Sequence, residues 1–133
     1  MNCESNLCLD ARADGTVQVS SCSANNPELR NQQWDANTPS AQNIQNRGIG
    51  QCLDINADDN TVRTNGCEGW KDAQKWNFVQ DWNPNPISNQ YTNQCLQGGK
   101  DLSLVEAAKC NGSLAQRWKW VSVGDTAPGC PPH

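Results

Sequence analysis

The sequence predicts an all-β fold assembled from three copies of one structural unit. Two observations predict it: a tripeptide motif that recurs at a fixed interval, and short segments whose residues alternate between two faces. The motif occurs as Gln32-Gln33-Trp34, Gln74-Lys75-Trp76 and Gln116-Arg117-Trp118, each copy 42 residues after the previous one. A period of this size indicates a copied supersecondary unit that buries its apolar face only against its neighbours.

The composition fits one lean domain, which we expect to span residues 1–133. Only 35% of the residues are hydrophobic, and folding must offset a backbone entropy of about 1–2 kcal/mol per residue. Covalent support is available as eight cysteines. Because the sequence has no Cys-x-x-Cys pair and a single histidine, His133, the cysteines favour disulfides over a zinc site.

The cysteines also predict where the protein resides. Disulfides form in oxidising compartments, so we expect a secreted, extracellular protein. The opening residues Met1-Asn2-Cys3-Glu4 show no basic start followed by an apolar run, and we expect a secretion signal to have been removed upstream. No apolar segment approaches the ~20 residues of a membrane span. The net charge is −4 and the ten cations are scattered, so we expect no nucleic-acid partner.

The cysteines recur in register with the tripeptide. Cys-Leu-Asp or Cys-Leu-Gln begins at Cys8, Cys52 and Cys95, and a second cysteine follows 14 or 15 residues later. Five residues before that second cysteine stands a valine in every copy: Val17, Val62 and Val105. We therefore place the repeats at approximately 3–46, 47–89 and 90–124, followed by a tail at 125–133.

The repeat also selects a disulfide pattern. Eight cysteines allow 105 pairings, and the natural choice within the repeats is Cys8–Cys22, Cys52–Cys67 and Cys95–Cys110. Loops of that length contribute about 3 kcal/mol each. Cys3 and Cys130 remain, outside the repeats and at opposite ends. Their pairing requires the two termini to meet, as they do when the last repeat closes a ring against the first.

The segments between the cysteines are typical of strands. Thr16-Val17-Gln18-Val19-Ser20 and Thr61-Val62-Arg63-Thr64 alternate with period two, and turn signals such as Asn111-Gly112-Ser113 separate such segments. About four short strands per unit give about twelve strands in all. Twelve strands in three copies with touching ends predict a β-trefoil, a six-stranded barrel capped by three hairpins.

Three Gln-x-Trp motifs, each preceded by a Cys-Leu pair and a second cysteine, resemble the ricin B-chain type of β-trefoil lectin over essentially the whole chain. The resemblance implies carbohydrate binding, with at most one shallow pocket per repeat. It implies an Asp after Cys-Leu that accepts hydrogen bonds from sugar hydroxyls, an Asn-Gln pair that adds contacts, and a stacking aromatic two residues before the second cysteine. Such a set suits a neutral sugar, which offers hydroxyls and an apolar C–H face.

The first repeat matches the family's site best. It keeps Asp10, Gln18, Asn31 and Gln32, while Ser20 stands at the stacking position. We therefore expect the first repeat to hold the main carbohydrate site.

The second repeat matches in part. It keeps Asp54 and Gln74, and Asn65 stands at the stacking position; Arg63 and Ala73 replace the Gln and the Asn. Trp70 follows the second cysteine, and we include it among the candidate carbohydrate contacts as a ring that stacks from another side. The third repeat has other residues at four of the site positions, and we expect it to be inactive: Gln97, Glu106, Ala108 and Ala115.

Two functions stay open at this point. The first is carbohydrate binding, of a galactose-type or other glycan, by a secreted lectin or by the appended module of a larger glycan-active protein. The alternative is a trefoil scaffold that binds a protein partner through its loops. The missing aromatics favour the scaffold, whereas Asp10, Asn31 and Gln32 favour sugar. The two prolines after Cys130 are typical of a linker to another domain.

The sequence predicts no enzyme, no cofactor and no metal site. No histidine lies inside the repeats, and no nucleophile motif such as Gly-x-Ser-x-Gly is present. The run from Asp54 to Asp58 imitates the start of a calcium-binding EF-hand loop. Asp59 stands where that loop needs a glycine, and Asn65 stands where it needs a bidentate glutamate.

Overall fold

A computed structural model describes residues 1–22, 30–37, 42–79 and 84–121. These residues form ten short β-strands: β1 (Leu7–Ala11), β2 (Val17–Ser21), β3 (Trp34–Asn37), β4 (Asn43–Asn46), β5 (Cys52–Asn56), β6 (Thr61–Asn65), β7 (Trp76–Asn77), β8 (Ser88–Asn89), β9 (Gln94–Gln97) and β10 (Glu106–Lys109). One turn of 3₁₀ helix ends at the glutamine of each Gln-x-Trp motif: Arg30–Gln32, Asp72–Gln74 and Leu114–Gln116. The predicted all-β fold is confirmed.

The strands pair antiparallel throughout. Strands β1 and β2 form a ribbon, and the other eight form one sheet in the order β3-β4-β5-β6-β10-β9-β8-β7. Three hairpins, β1–β2, β5–β6 and β9–β10, are equivalent by sequence. Each hairpin contacts the other two through single pairings: Thr16 with Arg63, Thr61 with Glu106, and Leu104 with Gln18. The three hairpins therefore surround one centre, as the three-fold repeat predicts.

The third repeat differs from the other two. In the first two repeats the motif tryptophan pairs with a buried asparagine one strand later, Trp34 with Asn46 and Trp76 with Asn89. In the third repeat Trp118 instead forms an isolated bridge with Asn2, at the other end of the chain. The third repeat therefore shows only isolated bridges, within the described residues, where the other two repeats have the strand pairs β3–β4 and β7–β8.

Recurrent residues build the core. The leucine after the first cysteine and the recurring valine are buried in every repeat, together with Trp76 and Trp118; Trp34 is half-buried. Each tryptophan indole N–H donates to the carbonyl of that leucine in its own repeat, at distances of 3.0 Å (Trp34 to Leu9), 3.0 Å (Trp76 to Leu53) and 3.1 Å (Trp118 to Leu96). Satisfying the buried indole N–H lets these large rings pack without cost to hydrogen bonding.

The structure contains the three expected disulfides within the repeats: Cys8–Cys22, Cys52–Cys67 and Cys95–Cys110. Cys3 is buried and disulfide-bonded, and its backbone N–H donates to the carbonyl of Arg117 at 2.9 Å. Cys130, its expected partner, lies outside the described residues together with the tail at 125–133. The start of the chain therefore lies against the third repeat, as a closed ring requires.

Neither a membrane-crossing helix nor a metal cluster is found in the described part of the chain. No helix there has the length and apolar character to cross a membrane. No group of three metal-ligating side chains comes together there either.

Candidate functional site

Each hairpin carries an equivalent row of three side chains on one face. The row starts at the residue after Cys-Leu, continues with its partner across the hairpin, and ends with a residue of the neighbouring hairpin. Direct cross-strand partners share a face of the sheet, so the three side chains of a row are neighbours. The rows are Asp10–Gln18–Leu104, Asp54–Arg63–Thr16 and Gln97–Glu106–Thr61.

The first repeat presents a partly open carboxylate. Asp10 is half-buried, and its Oδ2 accepts hydrogen bonds from Ser20 Oγ at 2.7 Å and from Gln32 Nε2 at 3.5 Å. Gln32 Nε2 also donates to Ser20 Oγ at 2.8 Å and to the carbonyl of Ser21 at 2.9 Å. Within the described residues no hydrogen bond reaches Asp10 Oδ1. This oxygen is therefore available to a hydroxyl donor.

The other two candidates of the first repeat, Gln18 and Asn31, lie in different places: Gln18 is beside Asp10, and Asn31 is beside Gly48. Gln18 lies directly across the hairpin from Asp10, and its Oε1 accepts from the Arg12 guanidinium at 3.5 Å. Asn31 is exposed, and its side-chain oxygen lies so close to Gly48 that any side chain at position 48 would collide with it. The structure thus brings Asp10, Gln18 and Gln32 together and places the Asn31 side chain against the turn at Gly48.

The second repeat has the same acid in a closed setting. Asp54 is only 1% exposed, and its Oδ2 accepts from Lys71 Nζ at 2.7 Å, Asn65 Nδ2 at 2.9 Å and Gln74 Nε2 at 3.3 Å. Its Oδ1 accepts from the backbone N–H of Ile55 at 2.8 Å. Both oxygens are therefore occupied by the protein itself.

The electrostatics of Asp54 agree with this closed setting. Burial raises the pKa of the Asp54 carboxyl, whereas hydrogen bonds from Lys71, Asn65 and Gln74 lower it and outweigh the burial. The net result is a pKa below its ordinary value, so the carboxylate stays ionised and paired. The adjacent Trp70 side chain is 76% exposed. The structure thus collects Asp54, Asn65 and Gln74 into one cluster and leaves the Trp70 ring in solvent.

The third repeat has an amide in place of the acid. Gln97 Oε1 accepts from Gln116 Nε2 at 3.0 Å, and Gln116 Nε2 also donates to the carbonyl of Lys109 at 2.9 Å. Gln116 Oε1 accepts from the backbone N–H of Asn111 at 2.9 Å. In this repeat the motif glutamine therefore serves the backbone and its neighbouring amide, and no carboxylate follows Cys-Leu.

Three residues of these rows and clusters were not identified from the sequence. Lys71 and Arg12 carry no signal in the repeat, because they lie in segments that the three copies do not share. Leu104, in contrast, could have been identified by comparing the repeats. It stands immediately before the recurring valine, where the other two repeats have Thr16 and Thr61. A leucine in that exposed row position is a departure that the alignment of the repeats could have detected.

Three equivalent hairpins with a Gln-x-Trp motif in each repeat define a β-trefoil. The sequence model of the ricin-type beta-trefoil lectin domain matches residues 40–127. The match covers more than half of the chain, and the chain therefore belongs to this family, whose lectin domains bind carbohydrate. The matched range begins after the first Gln-x-Trp motif, and the equivalence of the first repeat rests on its own cysteine, valine and Gln-x-Trp positions and on its hairpin. No curated protein sequence matches the chain.

Solved structures share the fold. The chain is similar to the hemolytic lectin CEL-III, with a TM-score of 0.74 and 27% identity over 90% of this chain and 28% of that one. It is similar to GalNAc-T7, crystallised with UDP, GalNAc and Mn²⁺, with a TM-score of 0.73 and 20% identity over 92% of this chain and 21% of that one. The designed three-fold symmetric protein ThreeFoil gives a TM-score of 0.74 and 19% identity over 90% of this chain and 93% of that one. This chain thus spans less than a third of the first two proteins.

Proposed function

We propose that this domain binds carbohydrate through its first repeat, as a lectin or as the appended module of a larger glycan-active protein. One observation carries the choice of repeat: Asp10 keeps one carboxylate oxygen without a protein partner in the described residues, whereas both oxygens of Asp54 are occupied. A sugar hydroxyl needs such an oxygen as its acceptor. In the third repeat the residue after Cys-Leu is Gln97, so no carboxylate stands at this position.

The surroundings of Asp10 support this role. Ser20 and Gln32 hold Oδ2, which fixes the carboxylate without using Oδ1. Gln18 and the exposed Arg12 add donors on the same face, so adjacent hydroxyls of a galactose-type or other glycan can be bound together. Because Ser20 stands where the family has its stacking aromatic, we expect weak affinity for one site and a benefit from multivalent presentation.

We also propose an extracellular location for the domain and a place for it in a longer protein. The three disulfides within the repeats, together with the disulfide-bonded Cys3, agree with an oxidising, extracellular location. The short span relative to the hemolytic lectin CEL-III and GalNAc-T7 agrees with a domain that serves a longer protein. We propose one trefoil domain over residues 1–133, with repeats near 3–46, 47–89 and 90–124 and a tail at 125–133.

An immobilised-glycan screen tests the function. We expect the wild-type domain, presented as a multivalent conjugate, to bind a subset of glycans, and the variant Asp10→Ala to lose that binding. Asp58→Ala is the matched control, because it removes one exposed carboxylate from a turn outside the first repeat. Absence of wild-type binding on plant, animal and microbial glycans would contradict the proposal, and so would full binding by Asp10→Ala.

A protein partner is the second candidate, and Trp70 favours it. A tryptophan exposed by 76% beside a carboxylate that Lys71 already pairs provides an anchor of the type enriched at protein interfaces. A pull-down from secreted extract discriminates the two functions. Capture that survives competing sugars and is lost in Trp70→Ala would favour the protein partner, whereas capture abolished by sugars would favour the carbohydrate site.

A further inference from the structure

We propose that the third repeat completes the first-repeat site, with Leu104 supplying an apolar contact for the acetyl methyl group of an N-acetylated sugar. This inference rests on the proposed carbohydrate binding at Asp10. It adds a specificity-determining residue from another repeat, and it names the substituent that the residue contacts.

Backbone pairing fixes the position of Leu104. The N–H of Val19 donates to the carbonyl of Ser103 at 3.1 Å, and the N–H of Val105 donates to the carbonyl of Val17 at 2.9 Å. These bonds set Leu104 directly opposite Gln18, which is itself opposite Asp10. With about 4.5–5.5 Å between paired Cα atoms, the row from Asp10 to Leu104 spans about 10 Å, the length of a sugar with one extended substituent.

Two leucines of the segment around Leu104 lie outside the core and are exposed. Leu104 is 57% exposed and the nearby Leu102 is 65% exposed. Leu102 also adopts a φ of +66°, a left-handed conformation that a leucine rarely occupies and that costs energy. The equivalent row positions of the other repeats are threonines, Thr16 and Thr61. Only the row that starts at the open carboxylate thus ends in an apolar side chain.

The order of chemical groups along the row matches an acetamido sugar. Asp10 Oδ1 accepts a hydrogen bond from a ring hydroxyl. Gln18 comes next and is 8% exposed; its Oε1 accepts from Arg12, which leaves its amide N–H groups as the donors for the acetamido carbonyl. Leu104 follows and contacts the methyl group. A branched aliphatic side chain buries a methyl well, whereas it lacks the flat surface that stacks on a sugar ring.

The test measures the affinity of sugars with and without an acetamido group for the wild-type protein and two leucine variants. The probes are the methyl glycosides of galactose, glucose and mannose and their 2-acetamido counterparts, titrated into the ¹⁵N-labelled full chain by NMR. The variant is Leu104→Thr, which installs the residue of the other two repeats. Leu114→Thr is the control, because Leu114 is another exposed leucine of the third repeat.

For the preferred sugar we expect the acetamido form to bind about fourfold more tightly than its parent, the effect of burying one methyl group. Leu104→Thr should abolish that preference and leave the parent sugar's affinity unchanged, whereas Leu114→Thr should keep it. Equal binding of both forms, or a preference that survives Leu104→Thr, overturns the inference and leaves the proposed function intact. If no probe binds the wild-type domain, the inference fails, and the glycan screen decides the proposed function.

Discussion

The residue after Cys-Leu determines what each repeat can do. Asp10 and Asp54 occupy equivalent positions, and the repeat motif alone makes them equal candidates. The structure separates them through Lys71, which donates to Asp54, whereas no cation of the described residues donates to Asp10. Asp10 and Gln32 could be placed together from the motif, because the family resemblance links them. Lys71 could not, since a contact between a loop lysine and a strand carboxylate depends on tertiary structure.

The pairing of Asp54 predicts a dependence of stability on pH. Its pKa in the folded protein is lowered from 3.8, so its contribution to stability is full above that value and is lost as the pH falls through the lower folded value. We expect Asp54→Asn to be less stable than wild type at pH 7. The difference in urea midpoint should narrow below about pH 4, as the wild-type carboxylate protonates.

Equilibrium urea unfolding between pH 7 and pH 3 measures this difference. Asp35→Asn is the control, because the Asp35–Arg47 ion pair is exposed and contributes little. A gap between wild type and Asp54→Asn that stays constant down to pH 3 would show that the buried carboxylate does not act through its charge.

At the scale of single elements, one turn recurs in all three repeats and the motif analysis missed it. A fully buried asparagine stands six residues before the first cysteine of each repeat: Asn2, Asn46 and Asn89. Its Oδ1 accepts from two backbone N–H groups of the following turn, and its Nδ2 donates to the carbonyl before the motif glutamine. The spacing Asn-x₅-Cys was therefore readable in the sequence. Its structural role was not, because the bonds join segments far apart in the chain.

The buried turn predicts a large loss of stability on substitution. Asn89→Ala would leave the backbone N–H groups of Tyr91 and Thr92 and the carbonyl of Ala73 without their partner. We expect a decrease of about 2–3 kcal/mol in the free energy of unfolding, the cost of unsatisfied buried groups. Asn77→Ala, at an exposed strand position, should change it by less than about 0.5 kcal/mol. Denaturant unfolding of both variants checks this, and equal values would contradict the role of the turn.

For the molecule as a whole, closure of the three-fold ring joins the start of the chain to the third repeat. The Asn2 side chain donates to the carbonyl of Ala115 at 2.7 Å, and Asn2 pairs with Trp118. The cysteine count could predict that the termini meet. It could not predict that an asparagine from the opening residues replaces a strand of the last repeat, because that exchange is a property of the closed fold.

Ring closure predicts an unusual sensitivity near the chain start. Residues there ordinarily tolerate substitution, since termini contribute little to stability. We expect Asn2→Ala instead to lower the free energy of unfolding by about 2–3 kcal/mol, as we expect for Asn89→Ala, because the backbone N–H groups of Glu4 and Ser5 and the carbonyl of Ala115 lose their partner. Thermal and urea unfolding measure it, with Glu4→Ala as an exposed control. A loss below about 0.5 kcal/mol would indicate a terminus that frays independently of the ring.

The central claim is that one carboxylate is open and its counterpart is closed. A map of NMR shift changes on titration with a glycan that the screen identifies tests it most directly. We predict that the perturbed amides cluster around Asp10, Gln18 and Gln32, and that those of Asp54, Asn65 and Gln74 stay unchanged. Shift changes centred on the amides around Asp54, with none at Asp10, Gln18 and Gln32, would contradict this claim.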